Sequence, residues 1–534
     1  MSLPLPVDGG TVKKFISACA LSLAFAIVSV ALHAGPAAKT IRTADGLVSG
    51  APPEHGVAAY LGIPFAAPPV GDLRWRPPGP AAKWTGVRKA DRFGASCMQD
   101  EPGSRLPWTP EFMTQGPVSE DCLFLNVWTS TSSAQPKQAV MVYIYGGGFN
   151  EGSGGVAVYN GANLARKGVV VVTFNYRVGA LGFLAYPALT QESPHHSSGN
   201  YGLLDQIAAL QWVHANIAAF GGDPSRVTIF GQSAGAMSVA YLMRSPLAKG
   251  LFARAIAESG PGLFMGNSTS IGTPLVEAEK RGEKFAESKG AHSLAELRAM
   301  PAADFFKSAP GASAMPVSPG GPAADNWVVP DANPAQQVPV IVGMVSGDAA
   351  FAAGFGVAPP KTVGDYDAQA EKTYGAAAPE FLKLFPAAKD SGVAAALDAS
   401  HIDRARVSLD LWAQEQSRHS SRVYTYFFDR AIPWPQHPEF GAFHSSEVPY
   451  VFETLGLLDR PWQPVDHALS VEMSSYWSNF AKNGDPNAAG LPRWPEFRPS
   501  GHTTMQLGAH SGPIPVAEPP RFAFFAHFLA SQSQ

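Results

Sequence analysis

Charge and cysteine are both scarce in this chain. Only 15% of its 534 residues are Asp, Glu, Lys or Arg, the formal net charge is −4, and cysteine occurs three times. With hydrophobic residues at 46%, the composition lies far from the high-charge, low-hydrophobicity profile of a disordered chain. No cluster of Lys and Arg forms a basic footprint, which excludes nucleic acid as a partner. Beyond residue 32 no stretch is long and apolar enough to span a bilayer.

The one long apolar run comes early. Lys13 and Lys14 precede Phe15–Leu32, and the small residues of His33-Ala34-Gly35-Pro36 follow. A basic start, an apolar centre and a small-residue exit read as a secretory signal, removed somewhere near Ala31 to Ala38. Residues 1–34 are therefore assigned to the signal and 35–534 to a single domain, with no stable membrane insertion after cleavage. The competing reading is an uncleaved anchor, because the run is nearly long enough to span. Export predicts a secreted or periplasmic protein. Cys19 falls inside the signal, leaving Cys97 and Cys122 as one pair in an oxidising compartment. Their disulfide would close a loop of about 25 residues and contribute ~3 kcal/mol; two buried free thiols are the alternative.

What is present is a repeated alternation of strand and helix. Ala139–Tyr145 and Gly168–Phe174 read as buried strands, since continuous apolar runs suit a parallel sheet covered on both faces. Leu203, Leu204, Ile207, Leu210, Val213 and Ile217 recur at helical spacing before Gly221-Gly222, and Asp223-Pro224 starts a turn. Arg226–Phe230 is a further strand, followed by a Gly-rich corner and a helical stretch over Ala236–Met243. Further strands are expected at Pro339–Gly343 and Val423–Phe428, and helices around Leu275–Lys289 and Ser470–Lys482. This pattern predicts one large α/β domain with a mostly parallel, doubly wound sheet and excursions over one end.

Gly231-Gln-Ser233-Ala-Gly235 occupies the corner between strand and helix. A sharp turn there lifts the serine hydroxyl above the sheet, and the backbone N–H of Ala234 points at a developing oxyanion. The pattern alone is weak in a Gly-rich chain; the strand before it and the helix after it give it meaning. Gly146-Gly147-Gly148 follows another central strand, where such folds place the rest of an oxyanion hole. Gly147 and Gly148 are the expected donors, with Ala234 as the third.

Phe220 to Gly235 resembles the active-serine signature of the type-B carboxylesterases, the cholinesterase relatives. Glu120-Asp-Cys-Leu-Phe-Leu-Asn-Val127 resembles that family's second signature, whose cysteine pairs with one upstream, here Cys97. Gly62-Ile-Pro-Phe-Ala-Ala-Pro-Pro-Val-Gly71 is similar to the family's opening, and Trp477-Ser-Asn-Phe-Ala-Lys-Asn-Gly-Asp-Pro-Asn487 to its closing helix and turn. The likeness runs from about residue 40 to the C-terminus and is strongest to secreted bacterial members. It implies an α/β-hydrolase fold and serine-dependent hydrolysis of small-molecule carboxylic esters, without metal or organic cofactor.

A triad on this fold runs in the order serine, acid, histidine. The resemblance selects His444, within Phe443-His-Ser-Ser-Glu-Val-Pro-Tyr-Val-Phe452, over His437 in a Pro-rich loop. For the acid, family members carry a glutamate in a Gly-x-Asn-x-Asp-Glu-Gly segment, whereas this chain reads Gly343-Met-Val-Ser-Gly-Asp348-Ala-Ala-Phe351. In register Asp348 replaces the glutamate, a carboxylate one methylene shorter that still meets the chemical requirement. Glu447 and Asp331 are the other candidates. The resemblance also places Ser259 beside the triad, and makes the loop holding Trp108 and Phe112 a wall of the site. A relative that has lost catalysis and serves only in adhesion, or a hydrolase of amides or carbamates, would share much of this sequence. Residue patterns fix neither the ester nor the oligomeric state.

Overall fold

Runs of consecutive β-branched and aromatic residues have no polar face to offer solvent, so they fold where both faces are covered. In the computed structural model they form the centre of a ten-stranded sheet. The structure describes residues 39–100, 105–131, 137–263, 272–307, 320–330, 336–349, 359–419 and 422–532. The expected export segment and Asp331 lie outside the described residues.

In chain order the sheet comprises β1 (Val57–Pro64), β2 (Phe124–Ser130), β3 (Gln138–Ile144), β4 (Val169–Phe174), β5 (Gly222–Gln232), β6 (Arg254–Glu258), β7 (Val340–Val345), β8 (Val423–Phe428), β9 (Thr503–Leu507) and β10 (Gly512–Pro515). Across the sheet they lie in the order β10-β9-β8-β7-β6-β5-β3-β4-β2-β1. All pairings from β4 through β9 are parallel, while β10, β2 and β1 join antiparallel at the two edges. Every residue of β3, β4, β7 and β8 is buried. Each buried Val or Ile contributes roughly 1.5–3 kcal/mol relative to exposure.

Helices cover both faces. The first long one, α1 (Tyr201–Asn216), continues as a 3₁₀ turn over Ile217–Phe220 and stops at Gly221, whose φ of 88° is left-handed. Next, α2 (Ala234–Arg244) starts directly from the corner after β5. The helix α3 (Leu275–Ser288) matches the expected segment. Further along come α4 (Val363–Tyr374), α5 (Ala378–Leu384), the 28-residue α6 (Asp390–Ser417) and α7 (Pro464–Asn483). At the C-terminus α8 (Pro519–Ser531) packs with α4, α5 and α6 around Phe381, Phe385, Phe524 and Phe525. The closing helix α7 begins six residues before the expected Ser470, because a capping box between Gln463 and Asp466 holds its first turn.

The Asp223-Pro224 turn lies inside β5. There Asp223 accepts from the N–H and hydroxyl of Ser225, and the register with β3 shifts between Gly222 and Val227. It is a bulge within the strand rather than a gap before it. Cys97 and Cys122 form a disulfide across a separation of 25 residues.

The chain enters the parallel part of the sheet at β3, moves outward to β4, then returns to place β5 on the other side of β3. Two neighbouring parallel strands whose connections leave in opposite directions open a crevice at their carboxyl ends, the usual ligand position in such sheets. Ile144, Gly231, Ala257 and Val342 pair laterally across β3, β5, β6 and β7. The residues that follow them therefore emerge along one edge.

Candidate active site

Ser233 stands at that crevice, one residue beyond β5, with φ 59° and ψ −124°. Such dihedrals are strained for any residue with a Cβ and persist only where the surroundings enforce them. The enforcement is visible on both sides. A Cβ at Gly235 would lie 1.9 Å from the carbonyl oxygen of Ile144, and one at Gly231 2.5 Å from the same atom. Strand, corner and helix thus meet with only backbone between them. The Ser233 N–H donates to Glu258 O at 2.9 Å, and its own carbonyl accepts from Met237 N at 2.9 Å. As the first residue of α2, Ala234 has an N–H with no helical carbonyl four residues behind it.

His444 and Asp348 arrive from different strands. Asp348 follows β7 by three residues and His444 lies in the long connection after β8. Gly347 N donates to Ala442 O at 2.9 Å, stitching the two loops together. His444 Nδ1 lies 2.5 Å from Asp348 Oδ1, and Asp348 Oδ2 accepts from Val345 N at 2.9 Å. Asp348 is fully buried, while His444 and Ser233 retain 6% and 9% exposure.

The other acid and base candidates sit elsewhere. Glu447 is buried and accepts from Ser259 Oγ at 3.3 Å, not from His444. Burial, with the Asp348 and Glu258 carboxylates close by, raises its carboxyl well above the usual range. Ser259 therefore touches the carboxyl beneath the site rather than the imidazole. His437 pairs with Glu439 in the loop and packs against Trp434 and Phe440.

Gly146, Gly147 and Gly148 lie across from Ser233. A Cβ on Gly146 would approach Ser233 Cβ to 2.9 Å, so the glycine run passes directly beside the corner. Gly147 O accepts from the N–H groups of Asn150 (3.0 Å) and Glu151 (3.2 Å). In a trans peptide the carbonyl and the following N–H point to opposite sides. The Gly148 N–H is thereby turned away from that bend.

Several contacts had no signature in the sequence. Gln232 Nε2 is 3.2 Å from His444 Nε2, and Gln232 Oε1 accepts from Ser445 Oγ at 3.1 Å. Trp108 Nε1 donates to His444 O at 3.1 Å, and Phe112 packs edge-on against Phe443. The loop expected to wall the site thus touches the backbone of the histidine itself. Glu258 is fully buried under Ser233, its carboxyl pushed up to about 8 by burial and drawn back by the Trp477 indole, which donates to it at 2.6 Å. Among the described residues no group of three or more His, Cys, Asp or Glu is placed to hold a metal ion.

Comparison with known proteins places this geometry. A family model described as "Carboxylesterase family" matches residues 37–515. Fumonisin B1 esterase of Sphingopyxis macrogoltabida is 39% identical over 497 residues, covering 88% of this chain and 86% of that one. Human cocaine esterase is 35% identical over 479 residues, with 83% and 82% covered. Para-nitrobenzyl esterase of Bacillus subtilis is 34% identical over 482 residues, with 85% and 92% covered. A solved structure of PNB esterase superposes with a TM-score of 0.75 at 29% identity, over 91% of this chain and 99% of that one.

Proposed function

Because the chain belongs to the carboxylesterase family and hydrolyses carboxylic esters, we propose that it does so through Ser233, His444 and Asp348. The observation that carries the assignment is the buried contact between His444 Nδ1 and Asp348 Oδ1 beside a serine held in strained backbone.

In this reading Asp348 fixes the tautomer with its proton on Nδ1, and the Nε2 lone pair, which the Gln232 amide faces in this structure, is the one that takes the serine proton. Ser233 Oγ attacks the ester carbonyl as His444 takes that proton. The tetrahedral oxygen forms against the N–H groups of Gly147, Gly148 and Ala234, which need no reorganisation as charge develops. His444 then protonates the leaving alcohol, and water releases the acid by the reverse sequence. Asp348 does not itself take the proton; it stabilises the imidazolium.

The named relatives are called after three unlike esters, so the walls of the site guide the substrate reading. Trp108, Phe443 and the Phe112 ring behind it favour bulky organic esters over short acyl chains. Export is the other proposal, supported by the Lys13-Lys14 and Phe15–Leu32 pattern and by the Cys97–Cys122 disulfide. Among the described residues no helix is long and apolar enough to cross a membrane.

Ser233→Ala tests the assignment. Its kcat is expected to fall by roughly 10⁵–10⁶ while the protein melts as the wild type does. Retention of full esterase activity would refute it. A panel of esters varying in acyl length and alcohol bulk, read as kcat/KM, tests the substrate reading, which fails if short acyl chains are preferred.

A further inference from the structure

We infer that Gln99 is a positioning residue for the oxyanion hole, holding the Gly147–Gly152 turn from within the loop that the Cys97–Cys122 disulfide closes. The inference rests on the reading of Gly147 and Gly148 as oxyanion donors.

The turn from Gly147 to Gly152 has no strand partner of its own. Its geometry is set by contacts from outside, and Gln99 supplies the central ones. Gln99 Nε2 donates to Gly152 O and to Cys97 O, both at 2.9 Å, while its Oε1 accepts from Gly152 N at 2.8 Å. Gln99 is 3% exposed; its bond to Cys97 O is buried and the two to Gly152 are half-buried, so removing the amide leaves partners that water reaches poorly. Gly152, held at both its N–H and its carbonyl, is pressed against the start of the same turn. A Cβ there would lie 2.3 Å from the Tyr145 ring and 2.8 Å from Gly146 O.

The hold reaches the donor through one residue. Glu151 N, with Asn150 N, anchors Gly147 O and so sets the direction of the Gly148 N–H. A Cβ on Gly147 would lie 2.3 Å from Glu151 O, leaving the peptide little room to rotate. The same disulfide-closed loop also holds the neighbouring Glu151, through an ion pair with Arg105. The Arg105 guanidinium lies 5.5 Å from the centre of the Trp108 ring, and Trp108 donates to His444 O. Below the turn, Ser96 Oγ bonds Ser153 Oγ at 2.8 Å, and Asn175 joins Gly154 N to Cys122 O. One loop therefore spans both halves of the site, the oxyanion turn on one side and the histidine on the other. A donor fixed in this way is aimed before charge develops, which is how a hydrogen bond is made stronger in the transition state than in the ground state.

A residue that only supported the fold would lower the melting temperature and leave the chemistry of the carbonyl oxygen indifferent. Paired substrates separate the two roles: an ester and its thiono counterpart, in which sulfur, a weak acceptor, replaces the carbonyl oxygen. For Gln99→Leu we expect kcat on the oxygen ester to fall about 10- to 100-fold with KM nearly unchanged. The ratio of oxygen-ester to thiono-ester rates should fall by a similar factor. Gln99→Glu, which still accepts from Gly152 N, should recover part of both. If Gln99→Leu does not fold, Gln99→Glu carries the test alone, with a smaller but still selective fall. Equal losses on the two substrates, or a lower melting temperature with an unchanged ratio, would overturn the role of Gln99. A wild-type ratio no larger than that for hydroxide in solution would instead overturn the oxyanion-hole reading itself.

Discussion

His444 and Asp348 are 96 residues apart in the chain, yet Nδ1 of one lies 2.5 Å from Oδ1 of the other, with the carboxylate fully buried. The shorter aspartate reaches because its loop is drawn in. Gly347 N bonds Ala442 O, and a Cβ at Gly347 would lie 2.5 Å from that same oxygen. Asp348→Asn keeps the shape and inverts the hydrogen-bond preference, favouring the wrong imidazole tautomer. We expect kcat to fall by about 10³–10⁴ with KM little changed, read by steady-state kinetics at pH 7–8. An unchanged kcat would remove Asp348 from the triad.

Glu447 gives the converse result. Burial, with the Asp348 and Glu258 carboxyl groups close by, pushes its carboxyl well above the usual range, and an amide has nearly the same shape as the acid. Glu447→Gln should keep kcat within about threefold of wild type, since the Ser259 hydroxyl still has an acceptor and the Asp348 contact with His444 is untouched. A loss comparable to that of Asp348→Asn would transfer the acid role to it.

Glu258 predicts how stability depends on pH. Its carboxyl is raised to about 8 in the fold, against 4.5 in the reference state. The folded protein therefore holds a proton that the unfolded chain has released across that interval, and stability falls as pH rises through it. The slope is at most about 1.4 kcal/mol per pH unit from this group. Glu258→Gln keeps an acceptor for Trp477 and removes the titration. Its melting temperature should decline less between pH 6 and 9 than that of the wild type, measured by circular dichroism.

The corner after β5 tolerates no side chain at Gly235. Gly235→Ala places a methyl 1.9 Å from Ile144 O, a contact that only backbone movement relieves. We expect a loss of more than about 3 kcal/mol in urea unfolding and of most activity in the protein that remains folded.

Much of this was legible because it is local. Val169-Val-Val-Val172 announces a buried strand, and the corner serine is marked by glycines whose removal would cause backbone clashes. The Asp348 position followed from register in a segment that keeps only part of its family's pattern. What was not legible depends on residues meeting across the fold. Nothing near Gln99 in the chain points to Gly152, 53 residues on. Gln232 sits beside Ser233 in sequence, but its contact with His444 exists only because the β8 connection folds back. The helix α6 carries no clear signal in the chain because it lies between packed partners: its buried positions serve the main core through Leu409 and Trp412 and a second core through Val393 and Val407. No single apolar stripe results.

The central claim is that Ser233 is the nucleophile, and labelling by an organophosphate with peptide mapping by mass spectrometry tests it most directly. One adduct per chain, on the peptide containing Ser233, formed in step with loss of esterase activity and absent in Ser233→Ala, is the predicted result. Complete inactivation with the adduct on another residue, or with no adduct on Ser233, would contradict it.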